Sequence, residues 1–260
     1  MPEQVTLPQG TKPEGAINEQ DASRKVREMF TRIAPRYDLL NHLLSAQMDR
    51  RWRARTAAEL RPVLQNPQAI VLDLCCGTGD LAFSLERNAK ARIVGADFSH
   101  TMLMRAKEKS GFESSSGWRV PFFEADALRL PFSDSSFDLV TTAFGFRNLA
   151  NYQEGLREIM RVLKPGGTLG ILEFTEPAPG FAGSVYRFYC QKVLPRIGGL
   201  ISGDAAAYAY LPKSVARFFR PEELAGLMKL LGYQDVRYHL MTLGSVALHL
   251  GVKSQSPCVT

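Results

Sequence analysis

A strand that ends in a carboxylate and runs straight into a glycine-spaced turn constrains this chain more than any other feature. Residues 69–82 read AIVLDLCCGTGDLA. Ile70, Val71 and Leu72 favour a buried extended segment that closes on Asp73. Gly77 and Gly79 permit a tight turn, and an apolar helical pattern starts at Leu81. Strand, glycine turn and helix in that order build the crevice of a doubly wound α/β domain, where backbone amides lie open to a nucleoside ligand. A second strand-like run, ARIVGAD, ends in Asp97, 18 residues beyond Gly79. A carboxylate there can accept hydrogen bonds from both hydroxyls of a ribose.

Gly77, Gly79 and Ala82 satisfy G-x-G-x-x-G/A, so a nicotinamide dinucleotide fits the spacing as well as other nucleosides do. Charge separates the choices. Asp73 precedes the turn and Asp80 follows its second glycine, and both would repel a pyrophosphate seated over the helix N-terminus. S-adenosylmethionine has no phosphate; its sulfonium and α-ammonium are both cationic. In EADALRLPFSDSSFDLV (124–140), Asp126 ends a third strand, placed to accept from an adenine amino group, while the Ala127 amide faces the ring. Each of Asp73, Asp80 and Asp126 taken alone reads equally as a turn or cap residue. At these spacings together they favour the methyl donor, with the nicotinamide dinucleotide as the residual alternative.

The rest of the chain alternates. Strands are predicted at 69–74, 92–97, 119–125, 137–143 and 167–174, with helices at 79–88, 100–109 and 151–162 between them. Such alternation implies parallel pairing with right-handed crossovers. KPGG at 164–167 reads as a helix stop and turn, and a helix at 221–231 leads into a closing antiparallel hairpin at 233–240 and 244–252. The expected fold is α/β and Rossmann-like: a seven-stranded, mostly parallel sheet with an antiparallel closing strand, helices on both faces and an N-terminal helical lid. Residues 1–20, with three prolines and two glycines, read as a flexible tail, and 21–260 as one domain. Within it, 22–62 form N-terminal helices interrupted at Pro35, and 175–216 form a helical insertion at the substrate site. A net charge of +6 permits an anionic partner without requiring one. The four cysteines lack metal-ligand spacing, which suggests a reducing cytosol and no metal. With no signal pattern and no run of about 18 apolar residues, the expectation is a soluble cytoplasmic protein.

With DLCCGTGD, GADFS, EADALRLPF, TTAFGFRN and REIMRVLKPGG in this order, the chain resembles class I S-adenosylmethionine-dependent methyltransferases. FTRIAPRYDLLNHLLS, FGFRN, LEFTEP and VLPRIGGLISGDAAAYAYLPKSV carry a closer similarity, to the quinone-pathway C-methyltransferases of menaquinone and ubiquinone synthesis. It runs from about Val26 to Lys253. The resemblance implies donor contacts at Thr78, Asp97, Asp126 and Ala127 beside the Gly77 turn. Ala143 stands where some members carry a serine, so no contact is assigned there. The implied reaction is C-methylation of demethylmenaquinol, the last step of menaquinone synthesis. The alternative is methylation of the polyprenyl-methoxybenzoquinol of ubiquinone synthesis, or of both.

That chemistry sets requirements. A quinone ring is electrophilic, whereas its hydroquinol becomes a carbon nucleophile as a phenolic proton leaves. The site therefore needs an in-line donor, an orienting pocket and stabilisation of the phenolate. Arg147, just past the fourth strand, fits the stabilising cation; Asn148 fits an orienting group, and Tyr37 a closing lid residue. Arg147 pairing with Asp73 or capping a helix, and Tyr37 merely packing, are the plainer alternatives. His100, His239 and His249 lie in a turn or in closing strands and are poor candidates for a base. The stripe Val26, Met29, Phe30 and Ile33, with the insertion's Phe181, Tyr186, Phe188 and Tyr189, could hold a polyprenyl tail. Arg187, Lys192 and Arg196 interleave with those aromatics as on a helix resting against anionic headgroups at the inner face of a membrane. Core packing or a homodimer contact would use the same apolar residues. An RNA methyltransferase is the other substrate class considered; no appended RNA-binding module or lysine stripe supports a nucleic-acid partner.

Overall fold

Unbroken aliphatic runs mark strands covered on both faces, and the sheet centre is made of them. In β1 (Ile70–Leu74), Val71 points into one core with Leu81, Phe83 and Ile93, while Leu72 and Leu74 point into another with Leu156, Ile159 and Leu224. The computed structural model describes residues 8–87, 89–113, 120–177 and 205–255, with 180, 183, 184 and 188. The other strands are β2 (Arg92–Asp97), β3 (Phe122–Glu124), β4 (Phe137–Ala143), β5 (Leu163–Phe174), β6 (Tyr233–Met241) and β7 (Val246–Lys253). They pair in the order β3-β2-β1-β4-β5-β7-β6. The first five run parallel, and β7 is antiparallel to both neighbours. The chain steps outward from β1 through β2 and β3, then returns to β4 on the other side. The crevice above the carboxyl ends of β1 and β4 is thus a topological switch point, where such sheets bind ligands.

Nine helices fall among the described residues: α1 (Glu19–Ile33), α2 (Tyr37–Leu44), α3 (Met48–Glu59), α4 (Arg61–Leu64), α5 (Asp80–Glu86), α6 (His100–Glu113), α7 (Tyr152–Val162), α8 (Ala205–Ala216) and α9 (Pro221–Leu230). In α7, Tyr152, Leu156, Ile159 and Val162 form a buried stripe at steps of three and four, and Asn151 caps the start. None of these helices is long and apolar enough to cross a membrane.

Three expectations need correction. Residues 9–18 are not a loose tail: Thr11 is only 7% exposed, and Asn18 caps α1 at 2.8 Å through the Asp21 amide. KPGG does not separate α7 from β5; it is a bulge inside β5, where the register with β4 jumps from Leu163 to Thr168 while β4 advances from Phe137 to Leu139. The stripe on α1 is mostly core, since Val26, Met29 and Ile33 are buried, the last two in a cluster with Met102 of α6 and Tyr210 and Leu211 of α8, and of the four only Phe30 lines the crevice. Of Phe181, Tyr186, Phe188, Tyr189, Arg187, Lys192 and Arg196 in the insertion, Phe188 alone lies within the described residues, 64% exposed.

Candidate active site

The glycine turn hangs on a single carboxylate. Asp97, at the end of β2, accepts the Gly77 amide at 2.9 Å through one oxygen and the Ser99 amide at 2.8 Å through the other. The Cys76 amide also bonds back to Ala96 at 3.0 Å, so the turn is stitched to β2 along its length. Cys75, Gly77 and Gly79 all take positive φ, at 54°, 55° and 86°. For a cysteine that conformation is strained, and such strain concentrates at functional turns. Burial pushes the Asp97 carboxyl up to about 6, with the two amides pulling it back; it is ionised at neutral pH.

Asp73 sits deeper, wholly buried at the end of β1. Thr141 donates to one of its oxygens at 3.3 Å, and the other has no partner in spite of lining the crevice. Burial raises its pKa to about 8. An unpaired buried carboxylate oxygen beside a nucleoside pocket is a fitting receptor for an ammonium group.

Gly77, Thr78, Asp97, Asp126, Ala127, Asn148 and Tyr37 all line the crevice, which is partly open to solvent. Phe98, Met102 and Leu128 supply an apolar wall for a base ring. With a ribose acceptor, an unpaired carboxylate oxygen and, among the described lining residues, a single cation, Arg53, already paired with Asp49 and Asp80, the residues fit S-adenosylmethionine better than a pyrophosphate. Asp126 is exposed and also accepts the Leu128 amide at 2.9 Å, so it serves the turn as well as facing the pocket.

Asp80 behaves differently from its sequence reading. It does not wait for a cationic ligand, because Arg53 lies 3.1 Å away and Lys109 also pairs with it. Burial raises its pKa, but those two cations more than offset this and hold it below the ordinary carboxylate value. Lys109 reaches Asp38 of α2 at 3.0 Å, and Asp38 in turn accepts from the Thr78 hydroxyl. Arg53 also pairs with Asp49 at 2.6 Å, and His42 meets Asp49 at 2.7 Å. The network ties α2 and α3 over the turn and makes the N-terminal helices a lid. His42, Asp49 and Asp80 approach within 4.8 Å of one another, but Arg53 and Lys109 already supply the positive charge a metal ion would bring.

FGFRN forms a short 3₁₀ turn, Phe146–Asn148, after β4. Arg147 does not pair with Asp73. Its guanidinium donates to Glu173 of β5 at 2.7 Å and to the Phe144 carbonyl at 2.5 Å, and its backbone amide binds the same carboxylate at 3.1 Å. Burial lowers its pKa, while Glu173 and the nearby Tyr210 and Tyr37 more than compensate. The Arg147 side chain is not among the residues that line the crevice, as Tyr37 and Asn148 are, and its Nε is buried and unpartnered. Burial raises the Tyr37 hydroxyl above its ordinary pKa, and it bonds to Asn41, so it stays protonated. His249 is buried against the Pro221 carbonyl at 2.9 Å, and burial drops it to about 4; His100 is an exposed partner of Glu124 at 3.1 Å. Neither lines the crevice, nor does His239.

Sequence reasoning missed Glu173, Asp38, Arg53, Lys109 and Tyr210. Only Glu173 carried a signal, as a lone acid in the apolar strand LGILEF.

Known proteins resemble the chain both in sequence and in fold. A model described as the ubiE/COQ5 methyltransferase family matches residues 18–253. A protein of Deinococcus radiodurans named demethylmenaquinone methyltransferase is 51% identical over 91% of this chain and 95% of its own length. One of the same name from Thermus thermophilus is 53% identical over 86% and 99%. Among solved structures, a SAM-dependent methyltransferase from Thermotoga maritima superposes with a TM-score of 0.59 at 21% identity, over 87% of this chain and 99% of that one. At that identity the likeness shows the fold alone.

Proposed function

The chain belongs to the ubiE/COQ5 methyltransferase family, and from that premise we propose that it methylates a ring carbon of a polyprenylated naphthoquinol, converting demethylmenaquinol to menaquinol. The name carried by the Deinococcus and Thermus relatives supports the naphthoquinol ring. The observation that carries the reading is one crevice with two chemistries. Asp97 and Asp73, with its unpaired oxygen, line the same crevice as the neutral donors Asn148 and Tyr37.

S-adenosylmethionine supplies an electrophilic methyl group bound to a sulfonium. With the donor bound, Asp97 would hold the ribose, Asp126 and the Ala127 amide would meet the base, the Gly77–Thr78 turn would support it, and Asp73 would take the α-ammonium. The acceptor must arrive reduced, since only the hydroquinol ring is electron-rich. Asn148 and Tyr37 donate to its ring oxygen and lower the energy of the phenolate. Arg147, anchored by Glu173, holds the short turn that carries Asn148. None of the described lining residues is a histidine, and the phenolic proton passes to a bound water. A new C–C bond forms as the S–CH₃ bond breaks; the ring carbon then loses its proton to restore aromaticity while the ring oxygen takes a proton back, so one proton is released overall. The lid excludes bulk water and holds the reactants in line. Exposed Leu39 on α2, Met104 on α6 and Phe188 (61%, 44% and 64%) suit transient contact with the bilayer that holds the tailed substrate.

The test supplies full-length protein in detergent with methyl-labelled donor and four acceptors: demethylmenaquinol, the polyprenyl-methoxybenzoquinol, and the oxidised form of each. Label in the reduced naphthoquinol supports the reading, and label in both quinols widens it to two pathways. No transfer to either, with donor bound, overturns it.

A further inference from the structure

The N-terminal segment lies flat on the loop that follows FGFRN. The Thr11 amide donates to the Leu149 carbonyl and the Tyr152 amide to the Gln9 carbonyl, both at 2.8 Å. Between them, Gly10 approaches so closely that a Cβ would stand 1.8 Å from the Ala150 oxygen. This contact leaves the Thr11 side chain 7% exposed, with its hydroxyl 2.7 Å from the Tyr210 hydroxyl of α8. Tyr210 donates onward to the Asn148 Oδ1 at 3.0 Å. Three segments remote in sequence therefore converge on one side-chain amide.

The chain of hydroxyls has a direction. A phenol has one proton, and Tyr210 gives it to Asn148, so Thr11 is the donor at the first link. Burial, acting against the favourable Thr11 bond and the Arg147 charge, keeps the Tyr210 proton in place by raising its pKa. With Oδ1 committed to Tyr210, the Asn148 NH₂ must face the other way. One of its N–H groups reaches the Phe144 carbonyl at 3.4 Å, which leaves the second for the crevice that Asn148 lines. An amide turned round would present an acceptor to the ring oxygen and repel a developing phenolate.

We propose that Tyr210, set by Thr11, is a positioning residue that fixes Asn148 as a hydrogen-bond donor toward the acceptor's ring oxygen. The proposal rests on the quinol-methylation reading for its substrate, while the orientation of Asn148 can be read without it. Tyr210 does not itself line the crevice and reaches it through Asn148, so its effect belongs to catalysis and not to donor binding.

The experiment uses the full chain with saturating donor and demethylmenaquinol. Tyr210→Phe should lower kcat roughly 5- to 20-fold, the size expected when one hydrogen bond ceases to orient a catalytic group, with donor Kd unchanged. Thr11→Val should act in the same direction, and Thr11→Ser should restore wild-type turnover. Tyr210→Phe on an Asn148→Ala background should cost nothing further, since both act on one group. The Asn148 side-chain amide resonance, assigned by its loss in Asn148→Ala, should shift in Tyr210→Phe and Thr11→Val whatever the acceptor. Wild-type transfer with Tyr210→Phe at full kcat, multiplicative losses in the double variant, or an unmoved Asn148 resonance would each overturn the proposal. Failure of the wild type on every quinol would instead overturn the functional reading, and the resonance would still decide the orientation.

Discussion

Replacing Asp97 by asparagine asks whether one carboxylate both builds the turn and holds the donor. In the wild type its oxygens accept two backbone amides at 2.9 and 2.8 Å and still face the crevice. Asparagine retains one oxygen; its NH₂ must then face either the Gly77 or the Ser99 amide, donor against donor. A hydrogen bond to a charged acceptor contributes about 1.5–3 kcal/mol. Losing the charge and one of two ribose acceptors should therefore weaken donor binding by about 2–4 kcal/mol, or roughly 30- to 700-fold in Kd. The displaced backbone amide adds a folding cost of about 1–2 kcal/mol, which lowers Tm by a few degrees in a chain this size. Titration calorimetry with S-adenosylhomocysteine gives the first quantity and scanning calorimetry the second. A variant that binds within threefold of wild type at an unchanged Tm would refute this account of the turn.

Asp73, with its pKa raised from 3.8 to about 8, binds a proton in the folded chain that the unfolded chain releases. The ligand-free protein should therefore lose stability as pH rises from about 4 to about 8, and Asp73→Asn should flatten the Tm profile across that window. Donor affinity should run the opposite way and strengthen as Asp73 ionises, visible as proton release on binding that Asp73→Asn abolishes. Gly10→Ala forces the N-terminal segment off the Ala150 carbonyl and should reduce turnover in the same manner as Tyr210→Phe, with donor Kd preserved; unchanged steady-state kinetics would contradict that packing. Lys109→Met leaves Asp38 without its cation and should raise the donor off-rate several-fold in stopped flow, more at low salt; an off-rate equal to wild type would detach the lid from donor retention.

The parts legible in the sequence were those fixed by local chemistry. A strand, a positive-φ turn and a helix within fourteen residues (69–82) announce themselves through residue type, and Asp97 and Asp126 follow from strand-end spacing. The central strands declared themselves by unbroken aliphatic runs. What was hidden depends on distant partners. Asp80 looked like a ligand for a cation until Arg53 from α3 and Lys109 from α6 occupied it. Arg147 looked free because Glu173 lies 26 residues away. Thr11 sits in a segment whose prolines and glycines read as disorder, yet two backbone bonds and a buried hydroxyl hold it to the site. KPGG has the composition of a turn, and its Gly166 at φ 77° makes one, but inside a continuing strand.

The central claim is transfer to carbon, directed by donors that hold the neighbouring ring oxygen. Its most direct test is mass spectrometry and proton NMR of the product made with a trideuteromethyl donor and demethylmenaquinol. The account predicts a three-deuterium methyl on the ring carbon, with the ring proton at that position lost. A deuterated methoxy group, or a ring proton still in place, would contradict it.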